Sequence, residues 1–332
     1  MKLVGRPSNF DSGPWKEISK EQGIRTVEIE NADDFYRFVN LGFGYSDGHC
    51  LWRGQRRSDW EIKSSLARKA HRDSGHLQNF RDAIARCTRT EFDIWDSNSN
   101  AEEEKIKLWA LGQHFGLATP LIDWTVFPYV ALFFAFVERD GIEQTQHRAV
   151  YALNWREVMS INFQIVSPPF QKFQEQLLAP PYTPEFKKHL LDIYGGNFSG
   201  NTNLIEESRI PPQGRENLIR WERTRLESQT LHLHKSYSNE NYRTSPQGSI
   251  HLIPPENASI EDWVRKNRRQ DWPACVLTKI LIGNHARKEI LTTLNKMNII
   301  YLSLFPDFEG AAKYCNMALE EHEGLIPGFR AY

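Results

Sequence analysis

The chain has 332 residues, 40% hydrophobic and 25% charged, with a formal net charge of -1. That balance suits a globular protein and excludes whole-molecule attraction to nucleic acid or to an anionic membrane. Its four cysteines (Cys50, Cys87, Cys275 and Cys315) are scattered with no Cys-x-x-Cys pair, which excludes a disulfide framework and a cysteine-based zinc site.

Residues 1–24 read as a polar leader with no apolar secretory stretch, so a cytoplasmic location is expected. Val27 to Glu30 alternates as a strand. Asn31 is placed to cap a helix whose apolar face holds Phe35, Phe38 and Val39. A glycine-rich turn from Gly42 to Gly48 leads into a strand, Cys50 to Arg53. Because a strand rather than a helix follows Gly42-x-Gly44, it lacks the form of a dinucleotide-binding loop. Helical patterning resumes from Ala67 to Arg89. Between 53 and 89 the basic residues are Arg53, Arg56, Arg57, Lys63, Arg68, Lys69, Arg72, Arg81, Arg86 and Arg89. They read either as a solvated face or as an electropositive wall for a phosphorylated ligand or nucleic acid.

Ala101 to Phe115 patterns as a helix with Glu102, Glu103 and Glu104 in its first turn, where the helix dipole favours them. Gly116 is suited to end it. Pro120 marks an extended segment, and Pro128 opens a second helix, Tyr129 to Val137, apolar nearly all round and therefore buried. The apolar run 126–137 is too short to span a bilayer, so no membrane partner is expected. Val150 to Leu153 is a strand. From about 154 to 214 the texture changes, with Pro168-Pro169, Pro180-Pro181 and Pro211-Pro212 and a cluster of Asn and Gly from Gly195 to Asn203. We read this stretch as an insertion or lid, helical around Phe186 to Tyr194. Regular structure returns over Asn217 to His234. Val276 to Ile282 is a strand, Ala286 to Met297 a helix, and Ile299 to Leu304 a further strand. The division expected is a leader (1–24), a single domain over 25–320 carrying the 154–214 insertion, and a tail (321–332).

Two short motifs carry the chemistry. One is Leu51-Trp52-Arg53-Gly54-Gln55, and the other runs from Gln113-His114-Phe115-Gly116-Leu117 through Thr119 to Asp123-Trp124-Thr125. Each plants polar groups in surroundings that read as buried, where they are costly unless something binds them. Arg53 offers a planar fork suited to phosphate, but it equally suits a buried ion pair with Asp123. Asp123 and Thr125 share one face of a strand. Gln113 and His114 sit where they cap a turn, and His114 is also a candidate for proton chemistry. His232-x-His234 has no third ligand at a recognisable spacing, so no metal is expected.

Both motifs resemble the FRG domain, named for an aromatic-Arg-Gly tripeptide in which Trp52 here holds the aromatic place. The second signature matches from Gln113 through Thr125 and on into Val130-Ala131-Leu132-Phe133-Phe134-Ala135, with Pro120 where the family has Arg. Asp59-Trp60, Ser65-Leu66-x-Arg68, Arg225-x-x-x-Gln229 and Leu304-Phe305-Pro306-Asp307 with Gly310 extend the likeness. The family implies a place among bacterial toxin and antiviral defence proteins, with an antitoxin or defence partner.

A second resemblance is to ADP-ribosyltransferases of the arginine–serine–glutamate type. It implies an α+β fold with a split, mainly antiparallel sheet and packed helices. It also implies NAD as substrate, held by Trp52, Arg53, Gly54, Gln55, Asp123, Trp124 and Thr125. Phe115 or Trp124 would pack on the nicotinamide. Glu227, Gln229 and His114 would be the catalytic set, although such enzymes place Glu second where this chain has Gln229. The acceptor would be a protein or nucleic acid. The alternative is a non-catalytic nucleotide- or partner-sensing module of a phage-defence or toxin–antitoxin system. A nucleic-acid-cleaving toxin is a third reading, resting on the basic segment and His114.

Overall fold

The computed structural model describes residues 13–42, 49–69, 75–88, 101–139, 146–194, 203–235, 244–268 and 275–322. The Gly42 to Gly48 turn from its second residue, Arg72, Arg89 and the tail from 323 onward lie outside them.

The strands are β1 (Lys16–Glu21), β2 (Ile24–Ile29), β3 (Cys50–Gln55), β4 (Ile122–Thr125), β5 (His147–Asn154), β6 (His232–Lys235), β7 (Ser249–Ile253) and β8 (Leu277–Gly283). The helices are α1 (Ala32–Arg37), α2 (His76–Thr88), α3 (Ala101–His114), α4 (Pro128–Phe136), α5 (Trp155–Leu178), α6 (Pro184–Tyr194), α7 (Asn203–Glu206), α8 (Pro212–Glu227), α9 (Thr244–Gln247), α10 (Ile260–Asn267), α11 (Arg287–Lys296), α12 (Tyr301–Leu304) and α13 (Phe308–His322). No helix of the described residues is long and apolar enough to cross a membrane.

The chain divides into two units, 1–157 with 232–332 and 158–231. The first holds one sheet, in the order β1-β2-β8-β5-β3-β4-β7-β6. Every neighbouring pair is antiparallel except β2 with β8. This is the mixed α+β architecture, with a mainly antiparallel sheet and packed helices, that was expected.

Local signals account for its elements. The Asn31 side chain accepts the Asp34 N–H at 2.9 Å and so starts α1. Gly116, at φ +87°, ends the turn after α3 in the left-handed region that glycine enters without strain. Pro128 opens α4, whose Val130, Ala131, Leu132, Phe133, Ala135 and Phe136 are all buried against β3, β5 and α11. The C-terminal carbonyls of α4, which no helical N–H can reach, are taken by two arginines. Arg148 donates from Nη1 to Ala135 O at 2.6 Å and from Nη2 to Glu138 O at 2.8 Å, and Arg287 donates to Phe136 O and Val137 O, both at 3.0 Å.

Three expectations are corrected. Lys16 to Glu21, read as part of a leader, forms edge strand β1 against β2. Residues 66–69 form a turn and α2 begins only at His76, so helix does not run from Ala67. Tyr301 to Leu304, read as strand, is the short helix α12. There the Ser303 hydroxyl accepts the Ile300 N–H at 3.1 Å and donates to Asn298 O at 2.6 Å, which curls the backbone locally.

The second unit is helical, formed by most of α5 with α6, α7 and α8. The Pro168-Pro169 pair lies inside α5, and helix extends well beyond Phe186 to Tyr194. The unit has its own core of Phe173, Leu177, Tyr182, Phe186, Leu190, Tyr194, Ile205, Ile210 and Leu218.

Candidate functional site

β3 and β5 pair over six residues, but β3 and β4 meet through the single pair Trp52 with Thr125. Beyond that pair the two strands part. Arg53, Gly54 and Gln55 of β3 and Asp123 and Trp124 of β4 line the resulting cavity, of about 1220 Å³.

Gly54 sets how closely α4 lies against this strand. A Cβ there would stand 2.0 Å from Ala131 O and 2.6 Å from Ala135 N, so no larger residue fits without moving the helix. Thr125, the last residue of β4, ties the approach to α4 to the end of α9. Its hydroxyl donates to Gln247 O at 2.5 Å and accepts the Phe127 N–H at 3.0 Å, just before Pro128. That hydroxyl is committed to backbone. Trp52 is buried in the core and meets Phe35 edge-on at 6.3 Å.

Arg53 contrasts with Arg148. Arg148 is fully buried, and all three of its nitrogens donate to protein oxygens. Arg53 spans the split and donates from Nη1 to the Asp123 carbonyl at 2.5 Å. Its Nε is sealed from solvent yet has no hydrogen-bond partner, and the side chain forms no ion pair among the described residues. The ion pair with the Asp123 carboxylate left open above is therefore not formed. Burial lowers the Arg53 pKa, Asp123 raises it in part and Arg68 lowers it further; the group remains charged at neutral pH.

Two more buried polar atoms here lack partners, Gln55 Oε1 and Trp124 Nε1. Gln55 is 6% exposed and Trp124 2%. Arg53 and Gln55 share one face of β3, two residues apart. An unsatisfied buried polar group costs about 1–3 kcal/mol, so three of them on residues that line one cavity favour a polar occupant that a small side-chain shift would reach.

The polar residues of the second motif form a chain of hydrogen bonds. The Thr119 hydroxyl, fully buried, donates to Gln113 Oε1. Gln113 Nε2 donates to Asp123 Oδ1 at 2.5 Å, and His251 Nε2 lies 3.3 Å from the same oxygen. Desolvation by the surrounding cleft works to raise the Asp123 pKa, but the His251 hydrogen bond, the charge of Arg53 and the Gln113 hydrogen bond outweigh it. The net shift is downward, so Asp123 is an anion at neutral pH, and its side chain is 59% exposed.

His251 lines the cavity and faces Asp123 across β4 and β7. Sequence reasoning missed it. The alternation of Ser249-Ile250-His251-Leu252-Ile253 marks a strand, but only the fold sets that strand beside β4.

His114 also lines the cavity, exposed, with its ring 4.9 Å from Phe115. Phe115 is 74% exposed and is not a lining residue. Glu227 and Gln229 belong to the second unit and are not among the lining residues. Glu227 pairs with Arg223 at 2.9 Å, and Gln229 Nε2 donates to Arg225 O at 3.3 Å. Of the basic set, Arg57 pairs with Asp59 and Lys63 with Glu61, while Arg68 donates to Lys63 O at 2.6 Å and lines the cavity with Arg53.

Residues 48–144 match the family model of the FRG domain. This FRG segment is under a third of the chain and carries β3, α2, α3, β4 and α4, and with them Arg53, Gln113 and Asp123. His251 lies outside it. No curated protein and no solved structure matches the chain.

Proposed function

We propose that the cleft of this FRG-domain protein binds NAD and cleaves its nicotinamide–ribose bond, as an ADP-ribosyltransferase does. The observation that carries this reading is Arg53, a charged guanidinium beside a large hollow with no carboxylate partner and an unsatisfied Nε. Such a fork matches the oxygens of a pyrophosphate, and Arg68 adds a second positive charge. Trp124 and Gln55 supply a donor and an acceptor for the polar edges of a base or carboxamide.

Cleavage builds positive charge on the ribose, which a nearby anion stabilises. Asp123 suits that task, being ionised and open to the cavity, and takes the place that chain order assigned to Glu227 and Gln229. The acceptor is a protein or nucleic acid in this reading. Its setting, from the FRG likeness, is a toxin or antiviral defence system with an antitoxin or partner protein.

A second reading, a nucleotide-sensing module without turnover, is favoured by the commitment of the Thr125 hydroxyl to backbone. Calorimetry with NAD and chromatography for free nicotinamide separate the two. Saturable binding with release supports the enzyme, and binding alone supports the module. Arg53→Lys keeps the charge but loses the fork, and NAD affinity is expected to fall at least about tenfold, or about 1.4 kcal/mol. Wild-type protein that binds neither NAD nor ADP-ribose at millimolar concentration refutes the enzyme reading and removes NAD as the ligand of the module.

A further inference from the structure

We infer that His251 is the proton acceptor of this cleft, an inference that rests on the reading of the cleft as an NAD site. The imidazole Nε2 lies 3.3 Å from Asp123 Oδ1, and Gln113 and Thr119 fix that carboxylate from its other side. The second ring nitrogen, Nδ1, has no hydrogen-bond partner among the described residues and is not sealed from solvent. With the Nε2 hydrogen given to Asp123, Nδ1 keeps its lone pair. A carboxylate behind an imidazole sets its tautomer and stabilises the imidazolium formed when the ring takes a proton. The neighbouring imidazole is His234, the cross-strand partner of His251 on β6.

The step is a displacement at the ribose C1′. A water, or an acceptor hydroxyl, gives its proton to His251 Nδ1 while its oxygen forms the new bond to C1′. The C1′–N bond breaks, and its electron pair returns to the nicotinamide ring, which leaves neutral. His251 then passes its proton to solvent. With water, NAD yields ADP-ribose, nicotinamide and one proton.

General-base assistance is worth about 10²–10⁴-fold in rate. The test uses the full chain and reads NAD affinity by calorimetry, nicotinamide release by chromatography and folding by thermal melting. His251→Gln keeps a donor for Asp123 but has no basic nitrogen. We expect it to melt as wild type, to bind NAD within about twofold of wild type, and to release nicotinamide about a hundredfold more slowly. His251→Ala is expected to behave alike and to recover part of its rate when imidazole is added. His251→Gln that turns over at the wild-type rate overturns the assignment. So does loss of both binding and release in His251→Ala without imidazole rescue, which makes the residue structural. Wild-type protein that binds NAD but releases no nicotinamide removes the role of His251 and leaves the NAD site standing. Wild-type protein that does not bind NAD removes the site reading itself.

Discussion

Residue by residue, the two motifs separate into groups that build the site and groups left unsatisfied in it. Gly54 builds. Gly54→Ala drives a methyl into the α4 backbone and is expected to cost about 3 kcal/mol, read as a lowered urea midpoint. Gln55 is unsatisfied, and its Nε2 makes only a 3.4 Å contact with Glu61 O. Gln55→Met removes a stranded acceptor while keeping its volume. Stability is expected to rise by about 1 kcal/mol and NAD affinity to fall, by melting and calorimetry respectively. A variant that gains stability without losing affinity removes Gln55 from the site. Arg53, Gln113 and Asp123 were legible from the sequence because polar residues set in apolar motifs stand out, although the fold leaves the Asp123 side chain 59% exposed. His251 was not, since nothing in its own neighbours marks it until β7 is laid beside β4.

Among the elements, α4 was the most legible, because nine residues from Pro128 to Phe136 with no charge have one place to go. The helices of the second unit were the least legible, as three proline pairs mask their periodicity. Their order depends on one buried cluster. Glu222, 2% exposed, accepts both Arg225 Nε and Nη2 at 2.7 Å and also takes the Tyr194 hydroxyl. The Arg225-x-x-x-Gln229 likeness is thus explained by packing, with Arg225 holding a carboxylate one turn back on α8. Arg225→Met strands that carboxylate and is expected to cost about 3 kcal/mol by urea denaturation. Burial pushes the Glu222 pKa up, but the hydrogen bonds of Arg225, His189 and Tyr194 outweigh it and bring it to about 2. An unfolded Glu titrates near about 4.3, so the stability from this group is complete above about pH 5 and is lost as pH falls toward 2. Acid titration of wild type and Glu222→Gln, followed by helical circular dichroism, checks this. The variant should lose less stability over that window.

Across the whole molecule, two units with separate cores predict two unfolding transitions. Leu190→Ala, at a fully buried position of the second core, is expected to lower one by about 3 kcal/mol and leave the other in place. A single transition that shifts as one body refutes this. Individual strands and helices were legible from alternation and helical period and the α+β class from the resemblance, but strand order was not, because register is decided by contacts far apart in sequence. The one parallel contact among the described residues, β2 with β8, joins the hairpin of β1 and β2 to the rest of the sheet. The ribosome makes that hairpin early, yet the strand it docks on emerges only after the second unit is complete. A nascent chain can therefore shape the cleft strands while its first hairpin waits undocked, and folding closes late and slowly, as long-range pairing dictates.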